Sequence, residues 1–563
     1  MKRILLVPSV RKGNGSGHLV RCFALAKALG PGACLYLSDN ADPQQRTATE
    51  LALSYPQHFE QSSVCTSIAS GERFDLVIVD NRATPYDELE RWASLGPVVC
   101  IDEGGPARSY AEYLVDILPR AQSGRKAIAP NLAGSEFLDL PKHRRTLPER
   151  IRTVLISFGG EDPVGLTDRF LTALLASAMV EPSSISVVRG PLYAGKKSSG
   201  TPCAGSGVTE LGQVQNLKEH LASYDLVVCS FGLTAFEAAW AGCLVLLYNP
   251  SAEHDRLSIA AGFPMLKRGA GETQRLTRLL ASVDTLGARS AACAPASRKD
   301  LALYIKTMDA PSMASCPICE KRLGKALARY ERKTYIQCPV CGLVRMAYFQ
   351  KRETTYTNDT YFFDSYKAQY GKTYLEDLPA LRRMAARRLS VIESVIKKSA
   401  YKLTPVYPSV LDVGCAYGAF VAEAQARSWS AVGSDVSSAA IAYVRDTVGA
   451  PAFVADFSAP MSSGFYPREL DCVTMWYVIE HFDRLGAVLT RVSSLLKDGG
   501  VFAFSTPSGS GISARKNLVE FLDRSPDDHY TVLSPVSIRG ILARYGFAVQ
   551  RIVVTGHHPE RFP

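Results

Sequence analysis

The sequence predicts an α/β protein of three alternating strand–helix units, with a small cysteine-bearing module between the second and the third. Three observations lead there. Short apolar runs closing on polar residues alternate with helical segments from residue 1 to about 145. The rhythm restarts after a basic, proline-punctuated stretch, "LDLPKHRRTLPERIR" (138–152), and runs to a helix near 308. It begins again at "PSVLDVGC" (408–415) and continues onward. A chain of 563 residues is too long for one hydrophobic core, so three to four structural units are expected.

In the first unit, "RILLVPSV" (3–10), "ACLYLSD" (33–39), "FDLVIVDN" (74–81) and "GPVVCIDE" (96–103) read as buried parallel strands. Between the first two lies "GHLVRCFALAKALG" (17–30), a helix stopped by a glycine. The second unit repeats the pattern with "TVLISFGGEDP" (153–163), "SISVVRG" (184–190), "YDLVVCSFG" (224–232) and "CLVLLYNP" (243–250). The expected domains are 1–145, 146–308, a module at 309–350 opened by the linker "DAPSMAS", and 351–563. The tyrosine-rich stretch 356–377 is expected to pack the module against the last domain, with a lid as the other reading.

Composition narrows the function classes. A 47% hydrophobic and 21% charged chain is that of a globular protein, and a net charge of +10 suits small anionic substrates. The apolar run "ILLVP" is shorter than the roughly 7–15 residues of a secretory signal core, and "AAWAGCLVLLY" (238–248) falls short of the roughly 20 that span a bilayer. Ten of the 14 cysteines are scattered singly, several inside apolar runs, which points to a reducing cytoplasm.

The other four form C-x2-C-x18-C-x2-C through Cys316, Cys319, Cys338 and Cys341. Two thiolate knuckles complete a tetrahedral site for zinc, and four protein ligands leave no open position, so the expected ion is structural. No nucleic-acid partner is expected of this zinc ribbon. A reader of RNA or DNA would bind in a strongly salt-dependent way.

In the last unit, "VLDVGCAYGAF" (410–420) ends a strand and opens a helix through Gly414 and Gly418. Asp435 and Asp456 follow at the ends of the next two strands, where carboxylates suit a ribose diol and an adenine amino group. With "LDCVTMWYVIEHF" and "LLKDGGVFAFSTP", this region resembles the class I S-adenosylmethionine-dependent methyltransferases. The resemblance implies that Asp412, Gly414 and Gly418 line the methionine end of the cofactor, with Asp435 on the ribose and Asp456 toward the adenine. A ribbon preceding such a core also resembles small-molecule methyltransferases of sugar and surface-glycan pathways, which implies a sugar-like acceptor. His481 in "VIEHF" and His529 in "DDHYTVLS" are candidate bases for an acceptor hydroxyl, since neutral imidazole suits pH 7. Glu480 and His481 alternatively just end a strand.

At the other end of the chain, Gly13, Gly15 and Gly17 allow a close-approaching backbone, and His18 begins a helix with Arg21 on the same face. Amides at such a start can meet a phosphate, and the positive end of the dipole keeps an imidazole neutral. Gly159 and Gly160 follow in "SFGGEDP", and Gly232, Thr234 and Glu237 in "SFGLTAFEAAWAG". Together these motifs resemble the GT-B-fold nucleotide-sugar enzymes, nearest the UDP-sugar hydrolase family of pseudaminic acid biosynthesis and its spore-coat polysaccharide relatives. That implies a GT-B-like pair of Rossmann-type domains with His18 catalytic in an inverting attack. It also implies UDP held by Gly17, Arg21, Gly159, Gly160, Gly232, Thr234 and Glu237. Two departures stand out: "NPSAEHDRLSIAAG" carries His254 and Asp255 in place of an expected glutamine, and "CIDEGG" has Asp102–Glu103 in place of paired aspartates. The combined expectation is a bifunctional enzyme joining a UDP-sugar hydrolase to a methyltransferase. The alternatives are an N-terminal glycosyltransferase, or a non-catalytic nucleotide-sugar-binding half.

Overall fold

The computed structural model describes residues 2–13, 15–39, 42–120, 128–193, 205–308, 315–350, 361–398, 407–460 and 466–554. Residues 309–314 of the expected linker and 356–360 of the tyrosine-rich stretch lie outside them. The chain forms two compact units. One is Met1–Ala314 with Arg329–Thr334 and Tyr348–Gln350; the other is Ser315–Ala328, Tyr335–Ala347 and Lys351–Pro563.

The first unit holds two parallel sheets. Strands β1 (Ile4–Pro8), β2 (Ala33–Tyr36), β3 (Ser63–Cys65), β4 (Leu76–Asp80), β5 (Val98–Ile101), β6 (Tyr113–Asp116) and β7 (Leu132–Ala133) pair in the order β3-β2-β1-β4-β5-β6-β7. Strands β8 (Val154–Ser157), β9 (Ile185–Val188), β10 (Thr209–Leu211), β11 (Leu226–Cys229) and β12 (Leu244–Leu247) pair as β10-β9-β8-β11-β12. The strongest apolar runs become the inner strands β1, β4, β5, β8 and β11 and the edge strand β12, all buried along their whole length. Helices on both faces require that burial, which is why these runs do not alternate with polar residues. The short strands β3, β7 and β10 carry no such run. The helix Gly17–Leu29 stops at Gly30, whose φ of 93° suits a residue without a Cβ.

In the second unit the expected cysteine module is built into a larger body. Strands β13 (Lys325–Tyr330), β14 (Lys333–Gln337) and β15 (Val344–Tyr348) follow its first two cysteines. The remaining strands are β16 (Ser409–Val413), β17 (Ser430–Asp435), β18 (Ala452–Val454), β19 (Leu470–Trp476), β20 (Leu496–Ser505) and β21 (Thr531–Val532). The last of these joins the module: β15 pairs antiparallel with β21, Val344 opposite Val532, giving the sheet β13-β14-β15-β21. Cys316, Cys338 and Leu343 share one buried cluster with Val473, Leu489 and Ile541. The other sheet is parallel, in the order β18-β17-β16-β19-β20. Among the described residues no helix is long and apolar enough to cross a membrane.

Where the module meets the helix Leu485–Leu495, Gly486 leaves no room for a side chain: an added Cβ would lie 2.3 Å from the Pro317 carbonyl oxygen. Gly486→Ala is therefore expected to destabilise the second unit by about 1–3 kcal/mol, as overpacking against backbone does, and to lower its calorimetric transition temperature. An unchanged transition would mean that the module gives way freely.

Candidate functional site

A parallel sheet with the order β18-β17-β16-β19-β20 changes direction between β16 and β19, and the loops leaving those neighbouring strands open a crevice at their carboxyl ends. Gly414 and Gly418 follow β16 with φ of 71° and 76°, and Ala416 between them has φ of 47°. The loop is packed tightly from beneath. A Cβ on Gly414 would sit 2.3 Å from the Val478 side chain, and one on Gly418 2.9 Å from Val444. Asp435, the last residue of β17, is buried and braces the loop: Oδ2 accepts from the Ala416 amide at 2.9 Å and Oδ1 from the Ser437 amide at 2.9 Å. Burial raises its pKa against those hydrogen bonds. Asp412 is buried within β16 and accepts from the Thr474 hydroxyl at 2.6 Å, and burial pushes its carboxyl up to about 7. Asp456 follows β18, is exposed, and accepts from the amide and hydroxyl of Ser458.

Among the described residues of the tyrosine-rich stretch, Phe362 and Tyr374 pack on this loop. Phe362 meets Tyr417 edge-on at 4.9 Å, and Tyr374 and Tyr443 lie 5.8 and 5.0 Å from the same ring. Phe362, Ala416, Tyr417 and Ala440 form one buried cluster.

Beyond β19 the structure brings together side chains that are far apart in sequence. The rings of His481 and His529 meet at right angles with centroids 4.7 Å apart. Donor atoms of Glu480, His481 and His529 all lie within 4.8 Å of one another. Asp528 Oδ2 lies 3.4 Å from His481 Nδ1. Burial pushes the Glu480 carboxyl up to about 7. Burial also opposes charge on His481, but Asp528 and Glu480 outweigh it and raise its pKa. The sequence offered Glu480 only as a strand end; its acidic character next to His481 was the available signal.

Residues 376–552 match the family model described as a methyltransferase domain. The second unit thus carries a methyltransferase domain over these residues. Solved structures similar to this chain include a SAM-dependent methyltransferase from Archaeoglobus fulgidus, at 19% identity over 33% of this chain and 74% of that one, TM-score 0.24. Another is the magnesium protoporphyrin IX methyltransferase (ChlM) of Synechocystis PCC 6803 with bound SAH, at 16% identity over 34% and 89%, TM-score 0.26. A third is Streptomyces venezuelae DesVI, at 16% over 28% and 59%, TM-score 0.20. Likeness at this level says nothing of substrate. Comparison with curated proteins finds no match.

The four cysteines converge: Cys316 and Cys341 sulfurs are 3.5 Å apart, Cys319 and Cys338 3.4 Å, and all four lie within 4.8 Å of one another. A tetrahedral Zn–S bond of about 2.3 Å sets sulfur–sulfur distances of about 3.8 Å, so the donor set fits zinc.

In the first unit three glycine stretches meet. A Cβ on Gly17 would touch Leu233 at 3.6 Å, and one on Gly160 would clash with Ser16 Oγ and Tyr55. Gly159 beside it has φ of 78°, and Gly232 precedes the helix Leu233–Ala241 that carries Thr234 and Glu237. Burial pushes the Glu237 carboxyl up to about 7. The amides of Gly13 and Gly15 donate to the Glu161 carboxylate at 3.0–3.3 Å, and Arg46 meets the same group at 2.6 Å. The departures His254 and Asp255 are held by Ser251 and Asn249, with Arg82 3.4 Å from His254.

His18 is buried, and its Nδ1 contacts Asp80 Oδ1 at 2.7 Å. Arg21 bridges Asp80 at 2.7 Å and Asp102 at 2.6 Å. Asp80 went unremarked in the sequence, though it is the polar residue that closes β4. Burial opposes its charge, but Arg21 and His18 outweigh the burial and hold its pKa well below the usual carboxylate range. A depressed pKa gives stability that is present above about pH 4 and lost as pH falls through the folded value. Asp80→Asn, which leaves Arg21 short of a partner, is expected to cost about 3 kcal/mol or more at pH 7. The difference between variant and wild type in urea unfolding is expected to shrink between pH 5 and pH 3. A gap that stays constant with pH would refute this.

Proposed function

We propose that the chain is a bifunctional sugar-modifying enzyme whose C-terminal domain methylates a sugar or glycan intermediate and whose N-terminal half acts on a nucleotide-activated sugar. The observation that carries the methylation reading is the juxtaposition of the tightly packed Gly414–Gly418 loop with Asp435 at the carboxyl edge of a β18-β17-β16-β19-β20 sheet. S-adenosylmethionine supplies an electrophilic methyl group when bound there. Gly414 and Gly418 let the backbone approach its methionine end, with Asp412 beneath. Asp435 holds the ribose, and Asp456 faces the adenine side. His481 and His529, past the end of the neighbouring strand, mark the acceptor side, where the acceptor's proton is removed. The four cysteines hold one structural zinc ion that ties the ribbon to this domain.

Asp435→Asn is expected to weaken S-adenosylmethionine binding at least tenfold in calorimetric titration, since a charge-assisted hydrogen bond is worth about 1.5–3 kcal/mol. Undiminished affinity would remove Asp435 from the ribose.

For the N-terminal half, the contact of His18 with Asp80 favours a catalytic role over mere binding, because it fixes the tautomer and orients the imidazole. His18 takes a proton from water, whose oxygen attacks the anomeric carbon opposite the leaving group. The anomeric carbon–oxygen bond breaks, and UDP departs with the electron pair. Transfer to an acceptor hydroxyl would use the same residues. Gly17, Arg21, Gly159, Gly160, Gly232, Thr234 and Glu237 form the surroundings of the nucleotide sugar in this reading. His18→Ala is expected to abolish UDP release from a panel of UDP-sugars while S-adenosylmethionine binding stays unchanged. No UDP release by the wild type would leave only the methyltransferase.

A further inference from the structure

Glu480 is 1% exposed, and its carboxylate faces the Thr506 hydroxyl and the His481 ring without a hydrogen bond of good geometry to either. A carboxylate withdrawn from water with partners this poorly aligned is costly to bury, and a native fold keeps such a group where something else completes it. Its donor atoms share a 4.8 Å neighbourhood with those of His481 and His529. One carboxylate and two imidazoles make the donor set preferred by divalent first-row metal ions, with coordination positions left over for an oxygen ligand.

We propose that Glu480, His481 and His529 bind a divalent transition-metal ion, and that this ion coordinates a hydroxyl oxygen of the methyl acceptor. Metal–ligand bonds of about 2.0–2.2 Å need donors roughly 3–4 Å apart, which this cluster reaches with a small inward shift of its side chains. Asp528, 3.4 Å from His481 Nδ1, stands where a carboxylate can orient a metal-ligating imidazole. The functional part of the inference rests on reading this edge as the acceptor side. That placement is supported by Val478, two residues before Glu480, which packs directly against Gly414 of the cofactor loop.

The ion changes how the acceptor proton leaves. A coordinated hydroxyl is more acidic than a free one, so its O–H bond breaks with the proton passing to water. The oxygen lone pair then forms the bond to the sulfonium methyl carbon, and the carbon–sulfur pair stays on sulfur, giving S-adenosylhomocysteine. The imidazoles serve as ligands in this step, and the oxygen-acceptor class follows from it.

The test titrates zinc-loaded full-length protein with Co2+, read by visible absorption and by metal analysis after gel filtration. The expected result is one Co2+ per chain beyond the zinc at the four cysteines, without a thiolate-to-metal band. Glu480→Gln and His529→Gln should each bind Co2+ at least tenfold more weakly, with circular dichroism unchanged. Absence of Co2+ beyond the zinc, or wild-type affinity in both variants, overturns the proposal. S-adenosylmethionine binding is measured on the same samples. If it is intact and Co2+ does not bind, the metal site falls and the methyltransferase reading stands. If Co2+ binds and S-adenosylmethionine does not, the metal site stands and its role in methyl transfer falls.

Discussion

The central strands of the three parallel sheets are covered on both faces, and that coverage decides where chemistry can take place. The strands supply buried apolar side chains almost exclusively, as in β1, β4, β8 and β11. Polar groups are displaced to the carboxyl ends, where loops cross from one layer to the next. Asp80 closes β4, Asp102 follows β5, Asp435 closes β17, and Glu480 and His481 lie just past β19. The close contact of Gly414 with Val478 is the sharpest expression of the constraint. It joins the loops of two neighbouring strands so tightly that any side chain at position 414 would force them apart.

The two units treat buried charge differently. In the first, Asp80 is ionised because Arg21 and His18 compensate it, and Arg21 is in turn shared with Asp102. That network is closed: each charge has an opposite one within hydrogen-bonding distance. In the second unit Asp412 has the Thr474 hydroxyl and Glu480 the neighbouring His481, which offset burial less fully, and burial moves both carboxyls to about 7.

The sequence made the parallel sheets legible through their continuous apolar runs, and the methyltransferase core through motifs compact enough to read locally. Gly414, Gly418 and Asp435 belong to that category, because each sits in a strand–loop pair with its own pattern. What could not be read was assembled from separated segments. Glu480 and His529 come from different loops, and only the fold makes them neighbours. β21 is two residues long and carries no periodicity, so nothing announced that the cysteine module would borrow a strand from the C-terminal domain. The aromatic segment around Phe362 showed its composition but not its partner, Tyr417, because a run of rings packs on whichever apolar surface the tertiary fold presents.

The glycine turn near the start of the chain has a further consequence. Its Gly13 and Gly15 amides form a concave, positively polarised seat, and the Glu161 carboxylate sits in it with Arg46 alongside. One side chain thus satisfies donors that a glycine turn leaves turned the same way, and it fastens the loop after β1 to the loop after β8. Arg46 adds a charge-assisted contact to the same carboxylate, so losing Glu161 would free three donors at once.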